Sequence, residues 1–357
     1  MMRESERMYA LLLDMKYQDR LFGSLEGFTK KGNGALACCP FHDDPLPTLV
    51  VYADRPEYFC FVCSSRGDWL SYLQRREGLS FSEALSRLTA EAGLLPAGYD
   101  KARWEEDLER AHLLEIAAGY FTTQLFSPAG EETLHYLYRR GYAMGEVEGA
   151  AFGFFPGFEN LKSYLQSQGI GDDILDAVLS AVWDRDADGC TLAIPFRDSC
   201  GRLMGMVGRD ITRTGREAYR PLTDLSVLKD VPFLMYRARK QEQVIVAEGL
   251  LDALLVDQIG IKPAVAIGKE GLSEGQADAL SAYGVKQCLL CLGNGSQKGQ
   301  KTIEAARILE SRGIDAAVLP LPHQYDDLDC FIRSTDLHDF KRLLKKPVCM
   351  GEWSTDS

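Results

Sequence analysis

Apolar residues recur with different spacings in successive stretches of the chain, and each spacing predicts a different kind of element. Residues 1 to 37 read as an amphipathic helix closed by a turn at Lys30-Lys31-Gly32-Asn33-Gly34. Between 38 and 65 the apolar positions alternate, in Thr48-Leu49-Val50-Val51-Tyr52 and Tyr58-Phe59-Cys60-Phe61-Val62, the period of short strands. Two helices follow. The second opens on a capping box, Ser80-x-x-Glu83, stops at Gly93, and sets Ala84, Leu85, Leu88 and Ala92 on one face. Leu94-Leu95-Pro96-Ala97-Gly98 breaks that pattern and predicts a linker. Residues 102 to 185 are expected to be mainly helical, and 189 to 240 to mix strands with loops. After 242 uninterrupted apolar runs alternate with helices: Val244 to Ala247, then Leu250 to Gln258; Ala264 to Ile267, then Glu274 to Tyr283; Cys288 to Leu292, then Gln300 to Arg312; and Ala316 to Leu319. Strands that are apolar on both faces and separated by helices predict a parallel sheet covered on both sides.

Composition narrows the class. With 357 residues, 46% of them apolar, the chain can build two or three cores and is not a disordered polypeptide. No apolar run approaches the roughly 20 residues of a membrane-spanning helix. The N-terminus MMRESERMYALLLDM is too charged around too short an apolar stretch for a secretory signal. A soluble, cytoplasmic protein with no membrane partner is the expectation. The net charge of -12 argues against a polyanionic partner for the chain as a whole. Between Ser199 and Lys240, however, nine basic residues face four acidic ones, so one segment could hold nucleic acid.

Ten cysteines are too few for a disulfide scaffold, and four side chains are spaced as metal ligands. Cys39-Pro40-Phe41-His42 and Cys60-Phe61-Val62-Cys63 are two pairs of the x2 type, 17 residues apart. Each pair suits a tight knuckle, and three thiolates with one imidazole close a tetrahedron around Zn2+, so the site should be structural. The competing reading is a set of buried free cysteines; Cys38 could only replace Cys39. These residues, with Pro47, Gly67-Asp68 and Ser80-Phe81-x-Glu83-Ala84, resemble the CHC2 zinc-binding domain of DnaG-type bacterial and phage DNA primases. In that family the domain helps to recognise the single-stranded template.

Glu248-Gly249-Leu250-Leu251-Asp252 follows directly on the strand from Val244. In a parallel sheet, ligands bind beyond the carboxyl ends of strands, and Gly249 permits a turn that projects Glu248 there. The plainer alternative is an acid at a helix N-terminus, favoured by the macrodipole. This segment resembles the first motif of the Toprim fold. Tyr136-Leu137-x-x-Arg140-Gly141, Gly153-Phe154-x-Pro156 and the run from Ile194 to Arg209 resemble the primase core, and Gly268 with Leu272 to Gln276 the second Toprim turn.

The resemblance implies an α/β protein, α+β overall: a zinc-binding domain over 1–95, a primase-core subdomain over 100–240, a Toprim domain over 241–335 and a tail over 336–357. It implies metal-dependent nucleotidyl transfer on Mg2+ or Mn2+, with single-stranded DNA and ribonucleotides as partners. Glu248 would be a metal ligand or general base and Asp252 a supporting acid, with Asp327 and Asp329 beside the metals. Arg202, Arg209 and Lys229 would meet phosphates, and Tyr219 matches a polar position of the family. The 22 residues after Thr335 are expected to be too few for the family's helicase-binding domain, so any contact with a replicative helicase would use another surface. A shortened form would suit a mobile element or phage.

One departure is serious. The family has Asp-x-Asp after the third Toprim strand; this chain has Gly293-Asn294-Gly295. Asn294 offers a single neutral oxygen. Two readings follow: a reduced DnaG-like primase that makes RNA primers, or a primase-derived DNA-binding accessory protein that has lost polymerisation. A zinc-bearing Toprim nuclease is a third, and leaves the primase-like run before residue 230 unexplained. Cys288-x2-Cys291 lies within a strand, where positions three apart point to opposite faces, and is expected to be core rather than a second metal site.

Overall fold

The computed structural model describes residues 15–31, 34–52, 57–79, 84, 87, 101–170, 189–198, 202–213, 218–223, 230–238, 241–294, 296–351 and 353. The helix capped at Ser80, the linker at 94–98, Lys229 and Gly295 lie outside these residues. The described chain builds an α/β protein around three sheets.

The first is an antiparallel meander, β1 (Thr29–Lys31), β2 (Gly34–Ala37), β3 (Leu49–Tyr52), β4 (Glu57–Cys60) and β5 (Arg66–Asp68), each strand paired with the next. Leu49 and Val51 alternate inward with Tyr58 and Cys60 of β4, as the period of two requires. Helices α1 (Met15–Phe22) and α2 (Trp69–Glu77) cover that face. Phe22, Tyr58, Trp69 and Tyr72 are almost wholly buried there. Asp68 starts α2 by accepting the Ser71 N–H at 2.8 Å, and Gly78 ends it in the left-handed region at φ 67°.

A 25-residue helix, α3 (Lys101–Leu125), then runs beneath the second sheet. Helices α4 (Glu131–Arg139), α5 (Met144–Gly149) and α6 (Phe158–Ser167) surround β6 (Gly153–Phe154), β7 (Leu192–Arg197), β8 (Leu203–Arg209) and β9 (Tyr219–Pro221), an antiparallel sheet in that order. Every residue of β8 is buried, including Arg209. Leu203 and Met206 pack against Leu114, Ala117 and Phe121 of α3, while Val207 joins the core of the C-terminal sheet, so neither face meets water.

That third sheet has the order β11 (Ala264–Ala266), β10 (Gln243–Ala247), β12 (Gln287–Cys291), β13 (Asp315–Val318) and β14 (Val348–Cys349), all parallel except β14. Val244, Val246, Cys288 and Leu290 enter one core, and Ile245, Ala247, Leu289 and Cys291 the other. The cysteine pair is therefore split across the sheet, as expected of core residues. Helices α7 (Leu250–Ile259), α8 (Glu274–Ala282) and α9 (Ser296–Glu310) connect the strands. Because β11 and β12 flank β10 on opposite sides, the sheet's switch point lies at the end of β10, where a crevice opens. Residues 336 to 351 are not the tail expected of them. After α10 (Leu328–Ser334), α11 (Leu337–Leu344) buries Phe340 and β14 pairs with β13, because Phe340 and Val348 complete an apolar edge.

Two charged contacts fasten the first sheet to the second. Arg197 of β7 bridges Glu57 of β4 and Glu115 of α3, with 2.6 Å from Nη1 to Glu115 Oε1. Asp68 meets His112 Nδ1 of α3 at 3.2 Å. Burial pushes Glu115 up to about 7, even against the pull of Arg197. Removing the arginine would leave two buried carboxylates facing each other. Arg197→Ala is expected to cost about 3–5 kcal/mol in urea unfolding, and a loss below about 1 kcal/mol would show the triad to be marginal.

Candidate functional site

The four expected zinc ligands come together. The donor atoms of Cys39, His42, Cys60 and Cys63 all lie within 4.8 Å of one another. Cys39 Sγ and Cys63 Sγ stand 3.7 Å apart, and Cys60 Sγ lies 3.9 Å from His42 Nδ1. A tetrahedron with Zn–S bonds of about 2.3 Å has an edge of about 3.8 Å, so the donor set fits the ion. Cys38 lies outside the cluster. Asp44 supports it from behind: it accepts the Cys39 N–H and the Thr48 hydroxyl, each at 2.6 Å, and its other oxygen lies 3.5 Å from His42 Nε2. A carboxylate behind the imidazole aims the other nitrogen at the metal. Burial pushes the Cys39 thiol up to about 12; Cys63 is driven up by desolvation too, but hydrogen bonds from Ser65 and the neighbouring thiols bring it down to about 6. Metal analysis should find about one zinc per chain and almost none in Cys60→Ser. A ratio near zero in reduced, chelator-free wild type would remove the assignment.

The second candidate site is the crevice beyond β10. Glu248 follows the strand directly, and Gly249 N-caps α7. Asp252 reaches back to accept the Gly249 N–H at 3.2 Å and accepts the Asp329 N–H at 3.1 Å. A Cβ on Gly249 would lie 2.5 Å from that carboxylate, so a side chain at 249 would displace Asp252 from its cap. Asp252 is buried; desolvation first, then Asp327 and Asp329, raise it to about 7. Asp327 caps α10 by accepting the Cys330 N–H, and the buried Asp329 is gripped by Arg140, the C-cap of α4, and by Arg333, 2.8 Å away. Glu248 is held by Lys301 at 3.2 Å and Lys298 at 3.7 Å, both from the first turns of α9.

Asp252, Asp327 and Asp329 interact in this crevice, Glu248 meets Lys298 and Lys301, and each of the four has partners of its own. Gly293 stands where the family carries a carboxylate, in the left-handed region at φ 95°. A Cβ there would lie 2.4 Å from the Asp326 carbonyl oxygen and 2.6 Å from Lys298 Nζ. The backbone of the 326 loop and the lysine fill the volume that an aspartate needs. Asn294 is anchored through the loop that follows β13. Its amide nitrogen ties down the carbonyls of Pro322 and Tyr325 at 3.0 and 2.8 Å. Of the four carboxylates, Glu248 is paired with Lys298 and Lys301, and Asp329 with Arg140 and Arg333. With two of the acids each held by two cations and position 293 closed to a further carboxylate, these residues do not fit a two-ion site.

The expected phosphate contacts also change. Arg202 is 2% exposed and pairs with Asp198 at 3.1 Å inside the β7–β8 hairpin. Arg209 is buried, donates to the Tyr136 hydroxyl at 2.7 Å and stacks 4.5 Å over Tyr219. Arg213 and Arg237 pair with Asp210 and Asp257. Much of the basic excess before residue 240 is engaged within the fold. Sequence reasoning missed Lys298, Lys301 and Arg333 as members of the site. The one signal was two lysines three apart opening a helix behind a glycine-rich turn.

Asp252 makes stability depend on pH. Its value is raised from 3.8 to about 7 on folding, so between those limits the folded state holds a proton that the unfolded chain has released. The stability that Asp252 contributes is fully present below pH ~4 and is lost as pH rises toward ~7, by at most ~1.4 kcal/mol per unit. Urea unfolding across that range should show a shallower fall in Asp252→Asn; identical slopes would contradict the assignment.

Residues 20–102 match the CHC2 zinc-finger family model and residues 245–332 the Toprim-like one. The DNA primase of Chlamydia trachomatis is 26% identical over 339 residues, 91% of this chain and 56% of that protein. The DNA primase of Pseudomonas putida is 29% identical over 332 residues, 85% of this chain and 49% of that protein. The chain thus spans about half the length of the curated relatives it matches. Among solved structures, the zinc-binding and RNA polymerase domains of Aquifex aeolicus primase align with a TM-score of 0.72, at 23% identity, covering 97% of this chain and 86% of that one. A DNA primase domain from Pseudomonas aeruginosa aligns at 0.54 and 26% identity, covering 67% and 78%. With the zinc ligands gathered, the Toprim-like crevice at the sheet's switch point and this likeness along nearly the whole chain, the protein is similar to the DnaG-type DNA primases in its zinc-binding and Toprim-like regions.

Proposed function

We propose that this protein binds single-stranded DNA as a template-holding member of its family and that its Toprim crevice no longer polymerises. The observation that carries the second half is Gly293, whose missing side chain has been replaced in space by the Asp326 carbonyl and Lys298. Support for the first half lies at the zinc ribbon. A cleft of about 330 Å3 separates the ribbon from α3, lined by Arg66, Arg75, Tyr164 and Gln168 with the hydroxyls of Ser64 and Thr123. Beside it Phe61 and Val62 are each 62% exposed, and Arg66 lies 5.5 Å over the Phe59 ring. Aromatic faces next to guanidinium groups are what single strands use, by base stacking and phosphate attraction. A related DnaG catalytic domain, 18% identical with a TM-score of 0.57, has been solved bound to single-stranded DNA.

Primer synthesis is the second reading, favoured by the survival of Glu248, Asp252, Asp327 and Asp329 in one crevice and by relatives named as DNA primases. In that reading bound metal would activate a 3' hydroxyl toward a ribonucleotide; the donor set described above argues against it.

Fluorescence anisotropy with labelled single-stranded DNA should show binding that weakens about 5- to 30-fold in Phe61→Ala, the ~1–2 kcal/mol of one stacked base. A ribonucleotide incorporation assay on the same template should give no product with magnesium or manganese. Product that disappears in Glu248→Gln would establish the second reading instead, and wild type without DNA affinity would defeat the first.

A further inference from the structure

We infer that Lys298 and Lys301 are built-in counter-ions of Glu248, fixed side-chain cations standing where the family's fold would place a divalent ion, and that they are what keeps such an ion out. The loss of a carboxylate at position 293 is only half of the change. Its loss alone would leave Glu248, at the mouth of the sheet, seeking positive charge from the solvent. The chain supplies that charge itself.

Three features hold the lysines there. Helix α9 opens immediately after the glycine-rich turn, so its first turns face the end of β10, and positions 298 and 301, three apart, lie on one side of it. Lys298 donates to the Asp326 carbonyl at 2.9 Å while lying 3.7 Å from Glu248 Oε2, and its stem approaches to 3.1 Å the point where a Cβ at 293 would stand. Lys301 donates to Glu248 Oε1 at 3.2 Å and also to the Lys269 carbonyl, so it joins Glu248 to the turn after β11. Each ammonium therefore has one backbone carbonyl and one carboxylate oxygen as partners. Neither is a chance surface pair, since an exposed lysine on a lone carboxylate would lack the second anchor.

A divalent ion entering this space must take the Glu248 oxygens from two ammonium groups and find further oxygen donors. Of the nearby acids, Asp252 accepts two backbone N–H groups, Asp327 accepts the Cys330 N–H, and Asp329 is paired with two arginines. Mg2+ and Mn2+ seek about six oxygen ligands, and the lysine nitrogens, being protonated, offer none. The position that could supply a further carboxylate is closed by the Asp326 carbonyl. The ion is excluded by charge and by lack of ligands at once.

The test uses the full zinc-loaded chain with no DNA, so that its failure is separate from any failure of template binding. Mn2+ is titrated and the free ion followed by electron paramagnetic resonance, in wild type, in Lys298→Gln/Lys301→Gln, and in that double variant carrying Glu248→Gln as well. Glutamine preserves the stems and most of their packing, and circular dichroism of each protein checks the fold. The expected result is no stoichiometric Mn2+ in wild type at about 1 mM, at least a tenfold gain in affinity in the double variant, and loss of that gain when Glu248 is also changed. Wild-type Mn2+ binding that Glu248→Gln abolishes would overturn the inference. So would a double variant that keeps its fold and gains no affinity.

Discussion

A carboxylate taken out of water must find cations or N–H donors, and the crevice beyond β10 gathers four of them in a small space. Every feature of the site follows from how that demand is met. Asp252 is satisfied by two backbone N–H groups and by partial protonation, Asp329 by Arg140 and Arg333, Asp327 by the helix it caps, and Glu248 by Lys298 and Lys301. Because Arg140 comes from the middle of the chain and Asp329 from near its end, charge compensation also locks the primase-like core against the C-terminal sheet. The site and the domain interface are one network.

The same constraint operates where the zinc ribbon meets the core. Arg197 lies between Glu57 and Glu115, and Asp68 both starts α2 and meets His112. These contacts join three elements that contribute few apolar side chains to one another. A buried guanidinium with two carboxylates fixes orientation more than it adds stability, since its desolvation offsets most of its attraction. The ribbon is thereby held at a set angle to α3, and the cleft lined by Arg66, Arg75 and Tyr164 is a consequence of that angle.

Two metal sites with opposite prospects thus stand in one chain. At the ribbon the donors are three sulfurs and a nitrogen at tetrahedral separations, with Asp44 behind the histidine. At the Toprim crevice the donors are oxygens already engaged by protein cations, at Glu248 and Asp329, or by backbone N–H groups, at Asp252 and Asp327. The family resemblance marks both places, but the side chains around them decide which one can take an ion.

Much of this was legible from residues 39 to 63 and 243 to 319. Ligand spacing is a local property of the chain, so Cys39, His42, Cys60 and Cys63 could be assigned without a structure, and uninterrupted apolar runs named the parallel sheet because burial on both faces leaves no polar position. The missing Asp-x-Asp was visible for the same reason. What no linear pattern contained was the fate of charges far apart in sequence. Arg202 and Arg209 read as phosphate contacts, but Asp198, Tyr136 and Tyr219 close around them. Residues 336 to 351 read as a tail because α11 and β14 are short, and only β13 and the core that receives Phe340 make them part of the sheet. Lys298 and Lys301 carried no assignment in the sequence, and only folding brings Glu248 and the carbonyls of Lys269 and Asp326 to meet them. Spacing along the chain determines which groups are present; pairing of buried charge is a long-range condition, and the tertiary fold alone decides which of them remain available to a ligand.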